Sequence, residues 1–183
     1  MTYDQYINET TALGFLQKGK NAYGEYDGFP LYCIFGGKAS AKIVTIAVSL
    51  NRNGGAKLVK ELNKSIKGMG SCSYHAANNT VLLLSVKVNE DFTGPFTEVM
   101  KRFEELAARY GVAAPSVCPL CHQGNCDGNA MMKNAFTPVH RGCLEQAHQG
   151  VSARAEKNLR EGSYLSGICG GLAFGILATI PSI

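Results

Sequence analysis

Two short pairs of metal-competent residues constrain this chain more than any other feature. Cys118-Pro-Leu-Cys121 is followed, after eighteen intervening residues, by His140-Arg-Gly-Cys143. Zinc takes thiolate and imidazole ligands in a tetrahedron, and a C-x2-C pair with a second pair fifteen to twenty residues on is the usual spacing of a closed structural site. Pro119 fixes a turn inside the first pair. His140 and Cys143 are three apart, so on a helix they share a face. The spacing predicts a treble clef: a knuckle carrying Cys118 and Cys121, a hairpin turning at Lys133-Asn134, then a helix over Arg141–Arg160, with Gly150 as its weak point. The expected ligands are Cys118, Cys121, His140 and Cys143. Cys126 is the alternative fourth ligand in place of His140, and His122 is a weaker candidate. A catalytic zinc normally leaves one position for water beside a general base, and four good ligands leave none.

Cysteine usage sets the compartment. Seven cysteines, an odd number, with C-x2-C spacing favour a reducing environment and a metal over a disulfide framework. The segment beginning Met1-Thr-Tyr-Asp has no basic and apolar leader pattern. A net charge of +4 over 183 residues neither requires nucleic acid nor excludes it.

Ahead of the cysteines the pattern is α+β. A short helix is expected before Lys20, with Tyr6, Leu13, Phe15 and Leu16 as its apolar positions. Phe29–Phe35 and Ile43–Leu50 read as strands around a turn at Gly36-Gly37-Lys38. Leu58, Val59, Leu62 and Ile66 then recur at helical spacing. The same order returns with strands over 71–77 and Val81–Val88, an Asn78-Asn79 turn, and a helix opened by Thr93-Gly94-Pro95 and stopped by Gly111. Its apolar face is Phe96, Val99, Met100, Phe103, Leu106, Ala107 and Tyr110. Strand-strand-helix twice predicts a four-stranded antiparallel sheet with both helices on one face. Three regions follow: an α+β domain over 1–112, a zinc-binding module over 113–161, and an apolar segment over 162–183.

The last region carries no charge from Tyr164 to Ile183. Twenty helical residues rise about 30 Å, the thickness of a bilayer's hydrocarbon core. Gly167, Gly171 and Gly175 fall on one stripe, suited to close helix–helix contact in lipid. Arg154, Lys157 and Arg160 precede the run, which places the N-terminal side in the cytoplasm by the positive-inside rule. The run has no polar closing flank, so the expectation is a piece of a longer protein with further membrane helices beyond Pro181.

Three stretches carry a family resemblance: Cys118-Pro-Leu-Cys121-His-Gln-Gly-Asn-Cys126-Asp, Pro138-Val-His140-Arg-Gly-Cys143-Leu, and Gly167 to Pro181. Together they resemble a group of uncharacterised bacterial membrane proteins in which a cytoplasmic treble-clef-like zinc segment precedes a Gly-rich transmembrane helix. The likeness covers about residues 115–183. It implies zinc and a membrane location, brings no activity with it, and keeps Cys126 in play as a ligand.

No nucleophile–base pair is legible. Alternation sets Cys72 and Tyr74 on one strand face and His75 on the other. Cys33 lies in an apolar strand as a small packed hydrophobe. Glu90 and Asp91 suit the positive end of the following helix better than a metal. The expected function is therefore a non-catalytic, zinc-binding, membrane-anchored protein whose α+β domain binds a protein partner. Two alternatives stand beside it. One is a soluble zinc-finger protein contacting nucleic acid through Lys133, Arg141, Arg154, Lys157 and Arg160, which the interleaved Glu145, Glu156 and Glu161 oppose. The other is an enzyme with an unrecognised pocket in the N-terminal domain.

Overall fold

A computed structural model describes residues 1–38, 41–52, 54–66, 72–78, 80–132, 135–160 and 180–181. The chain divides into two units, Met1–Pro115 and Ser116–Ile183.

The first unit is α+β. Its elements are α1 (Tyr3–Ala12), β1 (Leu16–Lys18), β2 (Asn21–Tyr26), β3 (Phe29–Lys38), β4 (Ala41–Ser49), α2 (Gly55–Ser65), β5 (Cys72–Asn78), β6 (Val81–Val88) and α3 (Thr93–Arg109). The six strands form one antiparallel sheet in the order β1-β2-β3-β4-β6-β5. The expected double strand-strand-helix unit is its β3-to-α3 part. The sheet is two strands wider than expected, because β1 and β2 extend it beyond β3.

Register shows why one face is buried. Leu31, Cys33 and Phe35 lie opposite Val48, Ile46 and Val44, which in turn lie opposite Leu82, Leu84 and Val86. These nine residues are all buried, in one core with Leu58, Leu62 and Ile66 of the α2 region and Phe96, Val99, Met100, Phe103 and Ala107 of α3. A one-residue slip would turn the whole set to the opposite face, so the apolar pattern fixes the pairing. The same constraint corrects the turn expected at Gly36-Gly37-Lys38. Pairing continues through Gly36↔Ile43, Gly37↔Lys42 and Lys38↔Ala41, so these residues lengthen β3.

Neither β1 nor β2 was expected, and the reason is physical. The core-facing side of β2 presents Ala22, Gly24 and Tyr26, too little apolar surface to read as a strand. The missing bulk comes from Phe15, whose ring occupies the space where a Cβ at Gly24 would sit. Phe15 and Tyr26 both meet Phe96 edge-on, at centroid distances of 5.7 and 5.5 Å. The β2–β3 turn is Asp27-Gly28, both at positive φ (46° and 78°), flanked by the pair Tyr26↔Phe29. Asp-Gly is a strong hairpin signal, because both central positions of the turn need left-handed backbone.

Helix α1 starts in a capping box: Gln5 N donates to Thr2 Oγ1 and Thr2 N donates to Gln5 Oε1. Its Tyr6 is fully buried, stacks on Phe35 at 4.9 Å and donates from its hydroxyl to the Cys33 carbonyl. Glu9 Oε2 accepts from Phe92 N, Thr93 N and Thr93 Oγ1, so the first helix caps the third across more than eighty residues. Burial opposes ionisation of Glu9, but those donors outweigh it and hold its carboxyl below the usual range. Asp91 adds a local cap by accepting from Gly94 N. At the other end of α3, Gly111 takes φ 61°, and Arg52 donates to the Tyr110 and Gly111 carbonyls.

The second unit contains β7 (Gly128–Met132), β8 (Ala135–Val139), α4 (Arg141–Arg160) and β9 (Ile180–Pro181). β7 and β8 form the expected hairpin, and α4 runs through Gly150 without a break. Ile180 and Pro181 are extended and pair with Asn129 and Gly128. A residue before proline favours extended backbone, which suits Ile180. Residues 164–179, with Gly167, Gly171 and Gly175, lie outside the described residues. Among the described residues no helix is long and apolar enough to cross a membrane.

Candidate metal centre

The first ligand pair sits in a knuckle closed by its own backbone. Cys118 N donates to the Gln123 carbonyl, and His122 N donates to the Cys118 carbonyl, both at 2.8 Å. His122 and Asn125 take positive φ of 59° and 58°. Asparagine tolerates that region better than most residues. Asp127 leads into β7, the hairpin returns through Val139, and His140 immediately precedes α4. Cys143 falls in the first helical turn. Cys118, Ala130, Val139 and Leu144 make a small buried core, with Cys121, Cys126, Met132 and Cys143 packed against it.

Cys118, Cys121, His140 and Cys143 each offer one ligand atom, and those atoms all lie within 4.8 Å of one another. His140 Nδ1 is 3.3 Å from Cys121 Sγ and 3.9 Å from Cys143 Sγ. A tetrahedral zinc with bonds of about 2.0–2.3 Å would set its ligand atoms roughly 3.5–3.8 Å apart, and the two distances bracket that range. The residues present therefore fit a metal ion.

Cys126 is not in this group, although it packs against the same small core. His122 is exposed, and what it supplies is the left-handed backbone that closes the knuckle. Its adjacency to Cys121 made it a ligand candidate; geometry gives it a turn role.

The electrostatics follow from crowding three thiols and an imidazole. Burial raises the Cys118 thiol, but N–H groups of His140, Leu120 and Cys121 reverse this and bring it down to about 6. The neighbouring Cys121 sulfur and then the Gly124 carbonyl raise His140 to about 9. Cys143 is pushed up to about 11, first by its contact with Cys121. Burial and the charges of Cys118 and Cys121 raise Cys126. One thiolate thus forms readily, while an ion must displace protons from His140 and Cys143. His140 Nε2 lies 2.9 Å from the Gly124 carbonyl. That contact needs a proton on Nε2, so the proton that the ring gives up to an ion is the one on Nδ1, which faces the sulfurs.

Elsewhere the candidates separate. Cys33 is fully buried, and burial drives its thiol far up, as suits a packed hydrophobe. The backbone sets Cys72 opposite Val86 and His75 opposite Leu83. Their side chains, and those of Arg154, Lys157, Arg160 and Lys133, lie outside the described residues. A depression runs along α3 between Thr93 and Glu105, and among the described residues its lining comes from that one helix. Sequence reasoning missed Glu9 as a cap and Asp127 as a partner of α4, since neither contact is local.

No family model matches the chain, and no curated protein matches it. Among solved structures it is similar to YbjN, a putative transcription regulator from E. coli, with 11% identity and a TM-score of 0.37. That likeness covers 63% of this chain and 97% of the other. At this level it carries no argument about fold or function.

Proposed function

We propose that residues 116–160 form a structural zinc module of treble-clef type and that the protein acts by binding partners, without catalysis at the metal. The observation that carries this reading is the convergence of Cys118, Cys121, His140 and Cys143 within 4.8 Å. Three thiolates and one imidazole suit zinc, whose closed shell imposes no geometry beyond the tetrahedron. All four coordination positions are filled by protein, so no position remains for a reacting water. When bound, zinc would supply a cross-link between the knuckle and the start of α4. The first unit, with its continuous apolar core under one sheet face, is the partner-binding domain in this reading.

The test is elemental analysis of the full chain purified without added metal, beside Cys118→Ser and Cys143→Ser variants. One zinc per wild-type chain, and none in either variant, supports the reading. Wild-type protein without stoichiometric metal overturns it.

A second reading concerns the tail. The uncharged apolar run over 164–183 supports attachment to a membrane, whereas the pairing of Ile180 and Pro181 with β7 weighs against a single crossing. Retention of the full chain in membranes through carbonate washing supports attachment; release into the wash overturns it.

A further inference from the structure

Between the two ligand pairs, residues 124–127 reach the second pair from outside the metal shell. The Gly124 carbonyl lies 2.9 Å from His140 Nε2, on the far side of the ring from the thiols. Three residues later, Asp127 Oδ1 accepts the Arg141 N–H at 2.8 Å. Arg141 is the first residue of α4, next to one ligand and two residues before the other. That first turn holds no acidic residue of its own. Its exposed N–H groups therefore take their carboxylate from the loop.

We propose that Asp127 is a positioning residue for the metal: its carboxylate holds the start of α4 so that His140 presents Nδ1, and Cys143 its sulfur, to the same ion as the knuckle thiols. This rests on the zinc reading above and extends it to the outer shell. Groups in that shell commonly tune metal affinity without touching the ion, because they fix the orientation of those that do. The Gly124 carbonyl sets the tautomer of His140 and Asp127 sets the helix that carries it. Both come from the segment that also holds Cys126, whose sulfur is not among the four converging ligand atoms. Asp127 is not one of the four converging ligands, and its hydrogen bond is to the Arg141 backbone.

The experiment uses the full chain and two metals. Zinc affinity is measured by competition with a chromophoric chelator for wild type, Asp127→Ala and Asp127→Asn. Asparagine keeps the accepting oxygen, and alanine removes it. The expected result is a loss of about 10- to 100-fold for Asp127→Ala, and near wild-type affinity for Asp127→Asn. Cobalt-loaded Asp127→Ala at saturation should also show shifted d–d bands, which a simple loss of fold stability would not produce. A third measurement needs no variant: long-range 1H–15N correlation on the wild-type zinc form should show His140 protonated at Nε2. Equal affinity in wild type and Asp127→Ala overturns the proposal, as does an equal loss in both variants or a proton on Nδ1. Wild-type protein that binds neither zinc nor cobalt overturns the zinc reading itself, a different result from wild type that binds well and a variant that binds as well.

Discussion

The two units of this chain solve the folding problem by opposite means. The first buries a row of valine, leucine, isoleucine and phenylalanine beneath a six-stranded sheet. Among the described residues, the second has a small buried cluster of Cys118, Ala130, Val139 and Leu144, with Phe136 also buried. By itself a cluster of that size removes little apolar area from water to set against the ordering of the surrounding backbone. What it has instead is four converging ligand atoms. Apolar area is spread over many replaceable contributions, whereas a metal cross-link concentrates stability in a few atoms. The two units should therefore fail separately and for different causes.

The largest expected effect lies in the second unit. Cys118→Ser should remove the ion and with it a contribution on the order of 10 kcal/mol to that unit. The near-ultraviolet spectrum and thermal transition of the first unit should stay as they are. The same comparison has a pH arm. His140 at about 9 and Cys143 at about 11 are protonated at neutral pH, so binding displaces a proton from each. Affinity should then rise from pH 6 to pH 9, and calorimetry in buffers of different ionisation enthalpy should register the release. The first unit has no reason to follow that dependence.

The next effects belong to the first unit. Phe103 is fully buried and meets Phe29 edge-on at 5.1 Å. Phe103→Ala should cost about 3–5 kcal/mol in chemical denaturation and leave metal affinity unchanged. Glu9→Gln should cost about 1–2 kcal/mol, the range of a helix cap. Its pKa is lowered in the fold, so its contribution is present above the ordinary carboxyl range, near 4.5, and fades as pH falls below it. Denaturation curves of the variant and wild type should converge in acid. Gly28→Ala is the smallest, about 1 kcal/mol, from forcing a side chain into φ 78°. A Gly28 effect as large as that of Phe103 would mean that the turn, and not the core, governs the sheet.

How much of this was legible depends on where each element's evidence sits. β3, β4, β6, α2 and α3 bury a complete apolar face of their own, and their periodicity shows it. The ligand pairs were legible because metal geometry demands short local spacing. β2 was not, because its inward face borrows Phe15 through the gap at Gly24. Its one local signal, Asp27-Gly28, marks the turn but not the strand before it. The Gly36-Gly37 turn was misplaced because glycine marks both turns and ends of strands, and only the Phe35↔Val44 pairing decides between them. Glu9 and Asp127 act across gaps of more than eighty and of fourteen residues, and no local pattern announces such contacts. Sequence spacing put His140 in the ligand set with Cys126 as its alternative, and the converging group contains His140 and not Cys126.

The most direct test is hydrogen exchange of the full zinc-loaded chain with and without a strong chelator, read segment by segment. Stripping the metal should remove protection from β7, β8 and the first half of α4, and leave β3, β4, β6 and α3 as protected as before. Protection that persists across β7, β8 and α4 after zinc is gone would contradict the claim that the ion holds the second unit together.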